Sequence, residues 1–246
     1  MNRIQLLVPE DVATMDAPAS HLRLNARSAP ASSPWSLFAP LHYEPGYSYP
    51  LLIWLHTSNA TERQLTQIMP LVSLRNYVGV APRGLPPVAP GPHRLTWGDD
   101  EASIEKAYQR VFDARDAACR QYNVHPQRVF LAGGEAGGTM ALRLALEFPE
   151  SFAGVLSLGG ALPSGRSPLA GLLRARRLPV FLAQGRQATT YSEDQVCQDL
   201  RLLHSAGLNI TLRQYPSGDE VNQLMFRDMN AWLMEIVTGS TAVTAK

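Results

Sequence analysis

The chain has 246 residues, 45% of them hydrophobic, which suits one large α/β domain with a full core better than two small ones. Its 22 basic and 21 acidic residues leave a net charge of +1, with the arginines scattered, so nothing marks it as a binder of nucleic acid or of an anionic membrane. Two cysteines with no Cys-His spacing give no support to a structural zinc site, and Cys119 and Cys197, both in helical patterns, are expected as buried free thiols.

Residues 1–34 read as an N-terminal arm or linker, loosely ordered or forming an extra edge strand. Ala29-Pro30-Ala31-Ser32-Ser33-Pro34 is linker-like. The apolar run Ile4–Val8 is too short for an export signal and stops at Pro9-Glu10-Asp11. No stretch has the apolar length needed to span a bilayer, so a cytoplasmic protein is the expectation.

From Trp35 to residue 238, strands and helices alternate, which argues for an α/β fold with a mostly parallel, doubly wound sheet and helices on both faces. Strands are predicted at 36–39, 50–55, 77–81, 128–132, 154–158, 179–183 and 210–215. Pro50-Leu51-Leu52-Ile53-Trp54-Leu55 is continuously apolar, as a strand covered on both faces should be. Ile104, Tyr108, Val111, Ala118 and Tyr122 share one helical face. Ser192-x-x-Gln195 reads as a capping box ahead of Val196, Leu200 and Leu203. Val221, Met225, Met229, Trp232 and Ile236 mark a last amphipathic helix, and residues 239–246 read as a flexible tail.

The proline-rich insert Leu85–Pro92 is neither helix nor central strand. It leaves the carboxyl end of a predicted strand, so it either overhangs a ligand crevice or stands off as a stiff surface loop. His93 follows it and is a candidate for the rim of the pocket.

The most informative segment is Val129-Phe130-Leu131-Ala132-Gly133-Gly134-Glu135-Ala136-Gly137-Gly138: a strand, a glycine-rich turn and the start of a helix. It has the frame of a nucleophile elbow, Gly-x-Ser-x-Gly, with glutamate at the centre. A phosphate loop is a poor alternative, because Thr139 follows Gly138 with no lysine between them, and Glu135 would repel phosphates. Gly-x-Gly-x-x-Gly is absent, so a dinucleotide cofactor gains no support, and no cofactor is expected.

Four motifs in order resemble the esterase branch of the α/β-hydrolase superfamily, in particular its carboxylesterase/phospholipase-type and polyester-depolymerase-like members. Leu51–His56 is similar to the strand ending in His-Gly, whose following loop gives an oxyanion-hole N–H. Leu131–Gly138 is similar to the elbow. Pro179–Gly185 is similar to the strand before the acid, and Tyr215-Pro216-Ser217-Gly218-Asp219-Glu220 to the turn that carries the histidine. The resemblance covers about residues 35–238 and implies the α/β-hydrolase fold. The residues at its chemical positions depart from it. Glu135 stands for the serine, Ala188 for the acid and Asp219 for the histidine, and Thr57 and Ser58 replace the glycines after His56.

A serine triad needs a hydroxyl, a base for its proton and a group that orients the base. Glu135, Asp219 and Ala188 supply none of these, so the resemblance implies a pseudo-hydrolase that binds a small molecule or a protein partner. Glu135 is expected at the positive end of the helix that starts near Ala136, either capping that helix or placing its own anion in the oxyanion site. Together with Asp219 it forms a candidate carboxylate pair that shares a proton, binds a cation, or is neutralised by Arg186 or Arg83. The alternative is a hydrolase of altered chemistry on a small ester-like substrate, with Glu135 acting alongside Asp219 or His56.

Overall fold

The computed structural model describes residues 34–86, 95–165 and 172–239. The arm expected over residues 1–34 (apart from Pro34), the proline-rich stretch from residue 87 with His93, and the tail beyond Gly239 lie outside the described residues.

Seven strands form one sheet: β1 Trp35–Phe38, β2 Tyr49–Leu55, β3 Val78–Pro82, β4 Val124–Gly134, β5 Gly154–Leu158, β6 Pro179–Gly185 and β7 Asn209–Tyr215. Their order is β1-β3-β2-β4-β5-β6-β7. Only β1 is antiparallel, pairing Trp35 with Pro82 through Phe38 with Gly79. The other neighbours run parallel, as the alternation of elements predicts.

β2 shows why the sheet is legible in the sequence. Every residue from Tyr49 to Leu55 is buried. Leu51, Ile53 and Leu55 join the core on one side, whereas Leu52 and Trp54 join the core on the other. Helices α2 (Glu101–Gln121) and α3 (Ala136–Glu147) contribute to the first core. Helices α1 (Leu65–Val72) and α6 (Gln223–Thr238) contribute to the second. The short α4 (Leu172–Ala175) and α5 (Glu193–Ser205) complete the set.

Several helix ends follow from single side chains. Asp100 caps α2 by accepting the Ser103 N–H, Ser192 caps α5 through Gln195 N–H, and Asn222 caps α6 through Met225 N–H. Gly239, in the left-handed conformation (φ 67°), ends α6.

The cysteine expectation is corrected. Cys119 and Cys197 are free but exposed. The buried face of α2 is Ala107, Val111, Ala114, Ala117 and Ala118, and the next residue, Cys119, turns to solvent. Cys197 likewise follows buried Val196.

The order of strands fixes where a ligand site must lie. The chain passes from central β2 outward to β3 and returns to β4 on the other side of β2. Connections therefore diverge at the carboxyl ends of β2 and β4, which opens a crevice there. Among the described residues, no helix is long and apolar enough to cross a membrane.

Candidate active-site pocket

Glu135 stands at that crevice, between the end of β4 and the start of α3. Its backbone is at φ 50° and ψ −122°, a conformation rare for a residue with a side chain. Its N–H donates to the Leu158 carbonyl at 2.8 Å, and its carbonyl accepts the Thr139 N–H at 3.1 Å. The flanking glycines make the turn sterically feasible. A methyl group on Gly133 would strike the backbone of Gly137, and one on Gly137 would strike the Leu55 carbonyl. One on Gly160 would strike the Glu135 carbonyl. The turn is thus a nucleophile elbow in its backbone and its clearances, with a carboxylate at its apex.

The Glu135 side chain does not cap α3. It leans across to the loop after β2, where Oε2 accepts the Ser58 N–H at 3.2 Å. Of the two expectations for this residue, the cap is overturned. The strained φ of the apex aims the side chain away from the first turn of its own helix.

The loop from His56 to Ser58 is itself pinned. Gln64, in a 3-10 turn (Glu62–Gln64), accepts the Thr57 N–H at 3.0 Å and donates to Thr57 Oγ1 at 2.8 Å. The same Gln64 oxygen takes the Nε1–H of fully buried Trp54 at 2.9 Å. The backbone N–H groups of Thr57 and Ser58 are therefore both occupied by protein side chains.

His56 is fully buried and engaged at both ring nitrogens. Nε2 accepts the Gly84 N–H at 3.0 Å, so Nδ1 carries the hydrogen and donates to the Thr57 carbonyl at 2.9 Å. Trp97 lies beside the ring, tilted 43° to it with centroids 5.1 Å apart, and its Nε1–H donates to the His56 carbonyl. Burial lowers the His56 pKa from its ordinary value of 6.5, outweighing the Thr57 hydrogen bond and the Glu62 charge, which raise it. With neither nitrogen free, His56 has no lone pair to offer as a base.

Asp219, in the turn between β7 and α6, accepts from Thr189 N–H (3.0 Å), Thr189 Oγ1 (2.7 Å) and Thr190 N–H (2.8 Å). The Thr189 hydroxyl, then the Thr190 N–H, hold its carboxyl below the ordinary carboxylate value. The hydrogen bonds of Asp219 therefore go to the loop after β6 and not to Glu135. Glu135 and Asp219 do line one cavity, but Asp219 is a stable anion bonded to the loop after β6.

Neither arginine supplies the expected neutralisation. Arg83 forks onto Glu62 instead, at 2.6 Å and 3.0 Å. Burial pushes the Glu62 carboxyl up, but the Arg83 hydrogen bonds and charge leave it below its ordinary value. Arg186 is exposed and absent from the described cavity wall. Ala188 likewise lies off this wall, its N–H bonded to the Gly185 carbonyl at 3.0 Å.

The cavity holds about 610 Å³, within the range of small-molecule sites. It is walled by Ser58 after β2, Glu135, Ala136 and Thr139 from the elbow, Gly159–Ala161 after β5, Thr190 after β6, and Asp219 and Glu220 after β7. The sequence motifs place Ser58, Glu135, Ala136 and Asp219 there. Thr139 and Glu220 belong to the elbow and turn segments but carry no pocket assignment there, and nothing in the motifs points to Gln64 or Thr190, whose roles depend on loops meeting in space.

Comparison with solved structures decides the fold. A carboxylesterase from Mesorhizobium loti superposes with a TM-score of 0.67 at 18% identity, covering 81% of this chain and 93% of that one. The Bacillus cereus carboxylesterase gives 0.66 at 16% identity, covering 84% and 96%. SOBER1 of Arabidopsis thaliana gives 0.64 at 18% identity, covering 77% and 100%. This is the α/β-hydrolase fold, in the form seen in esterases. No family model matches the chain. "Putative esterase NocK" of Nocardia uniformis subsp. tsuyamanensis is 36% identical over 135 residues, which is 50% of this chain and 38% of that one. The match to this α/β-hydrolase-fold chain thus spans well under half of that relative's length.

Proposed function

We propose that this chain is an esterase-fold protein that no longer performs serine acyl transfer and keeps its pocket to bind a small molecule or partner. The observation that carries the reading is the Glu135 carboxylate on the Ser58 N–H. In a working esterase of this fold, a serine hydroxyl would stand at the elbow, and the loop N–H would await the oxyanion of the tetrahedral intermediate. Here an anion already fills that role, in the resting protein. Asp219 at the base position is an acceptor held by Thr189 and Thr190, and Ala188 orients nothing. The two unpaired, exposed thiols support a reducing, cytoplasmic setting.

A second reading has one observation in its favour: Glu135 and Asp219 face the same cavity, so a carboxylate could attack an activated ester. His56 has no free nitrogen with which to assist hydrolysis of the resulting acyl-enzyme. One experiment separates the two. Purified protein is incubated with short-chain aryl esters and with a serine-reactive fluorophosphonate. The inactive reading expects neither turnover nor labelling. Labelling at any serine, or turnover that Glu135→Ala abolishes, overturns it.

A further inference from the structure

Among the described residues, no cationic side chain pairs with the carboxylates of the cavity wall. Glu135, Asp219 and Glu220 come from two separate turns of the chain and meet around one space. The hydrogen-bond donors seen for them are all uncharged: Ser58 N–H for Glu135, the Thr189 hydroxyl and the Thr189 and Thr190 N–H groups for Asp219, and Gly218 N–H for Glu220. Among the described residues, the wall contains no lysine, arginine or histidine. Three anions facing one concavity focus a negative potential into it.

We infer that the ligand of this pocket is a small organic cation, an alkylammonium or polyamine. The inference rests on the reading of the pocket as a binding site and names the chemical class that it takes. The cavity itself is the site, and the carboxylates set the sign of what enters it. An organic cation fits better than a metal ion, because among the described residues no three acidic, histidine or cysteine side chains converge closely enough to hold one. Separated carboxylates suit amines spaced along a chain. Ser58, Thr139 and Thr190 add polar groups beside them, and Ala136, Gly159, Gly160 and Ala161 leave room for methylenes. The same field disfavours ester substrates that carry a free carboxylate.

The test is calorimetric titration of the full chain at constant ionic strength with n-butylammonium, spermidine, butyrate and calcium. Spermidine is expected to bind at one site per chain and more tightly than butylammonium, while butyrate gives no binding heat. Glu135→Gln and Glu220→Gln should each weaken spermidine by about tenfold, the effect of one screened charge at a few ångströms. Glu220 is exposed, so its variant keeps the fold. Butyrate binding more tightly than butylammonium, spermidine affinity unchanged in both variants, or displacement of spermidine by equimolar calcium would overturn the inference. Aryl-ester turnover by the same preparation reports separately on the inactive reading. Silence in both assays sinks the cation inference and leaves that reading standing.

Discussion

The carboxylate of Glu135 accepts the backbone N–H of Ser58 at 3.2 Å across a sequence separation of 77 residues. In the proposed inactive reading, glutamate at this position does two things: it puts no hydroxyl at the elbow, and its carboxylate occupies the loop N–H opposite.

The elbow conformation restricts what this position accepts. Glu135→Ser should fold with little change in stability, since a working elbow carries serine at this backbone geometry. Glu135→Val should cost about 2 kcal/mol or more, because a β-branched side chain is disfavoured at positive φ. Urea denaturation of both variants checks this. Equal midpoints for valine and serine would mean that the strained φ does not constrain the site.

Activity should not follow from Glu135→Ser alone, because Asp219 and Ala188 still cannot form a base and its partner. The triple variant Glu135→Ser, Ala188→Asp, Asp219→His should hydrolyse p-nitrophenyl acetate faster than the single variant, by roughly tenfold or more, if the frame still presents a triad. The comparison is made at equal concentration of folded protein. A folded but silent triple variant would place the remaining block in the loop, where Gln64 holds the Thr57 N–H.

What the sequence made legible, and what it did not, has a physical basis. The central strands declare themselves because they are covered on both faces and must be continuously apolar; Leu51–Leu55 is the clearest case. The elbow declares itself because Gly133 and Gly137 have no room for a Cβ. Helix α1 escapes, since it is only 8 residues long and contains Pro70. The Gln64–Thr57 and Thr189–Asp219 links escape for another reason. Side-chain hydrogen bonds between loops follow no period, so only the fold brings their partners together. The same holds for Arg83, which the sequence offers to the pocket and the structure gives to Glu62.

Gln64 therefore carries a prediction that its sequence context does not suggest. Its amide meets Trp54 Nε1, Thr57 N and Thr57 Oγ1. Gln64→Ala leaves the Nε1–H of fully buried Trp54 without its acceptor, and should destabilise by about 2–4 kcal/mol. The β2–3-10 loop should loosen with it, seen as faster amide exchange at Thr57 and Ser58. A loss below about 0.5 kcal/mol would show that water replaces the amide at no cost.

His56 gives the fold a pH dependence of determined sign. Its pKa is lowered in the native protein, chiefly by burial, while the unfolded chain keeps the ordinary value of 6.5. Below pH 6.5 the unfolded state binds a proton that the native state refuses, so stability falls as pH drops from 7 towards the folded pKa. Protonation would also turn Nε2 from the acceptor of the Gly84 N–H into a donor facing that donor. Glu62 and Asp219, whose pKa values are also lowered, act in a more acidic window: their contributions are complete above the ordinary carboxylate values of 4.5 and 3.8, and fade as pH falls below them. Urea midpoints between pH 7 and 5 should therefore report His56 before the carboxylates. His56→Gln, which keeps one donor and one acceptor but does not titrate, should flatten this limb while leaving the acid limb in place. An unchanged slope between pH 7 and 5 in that variant would assign the dependence to another group and put the buried neutral His56 in error.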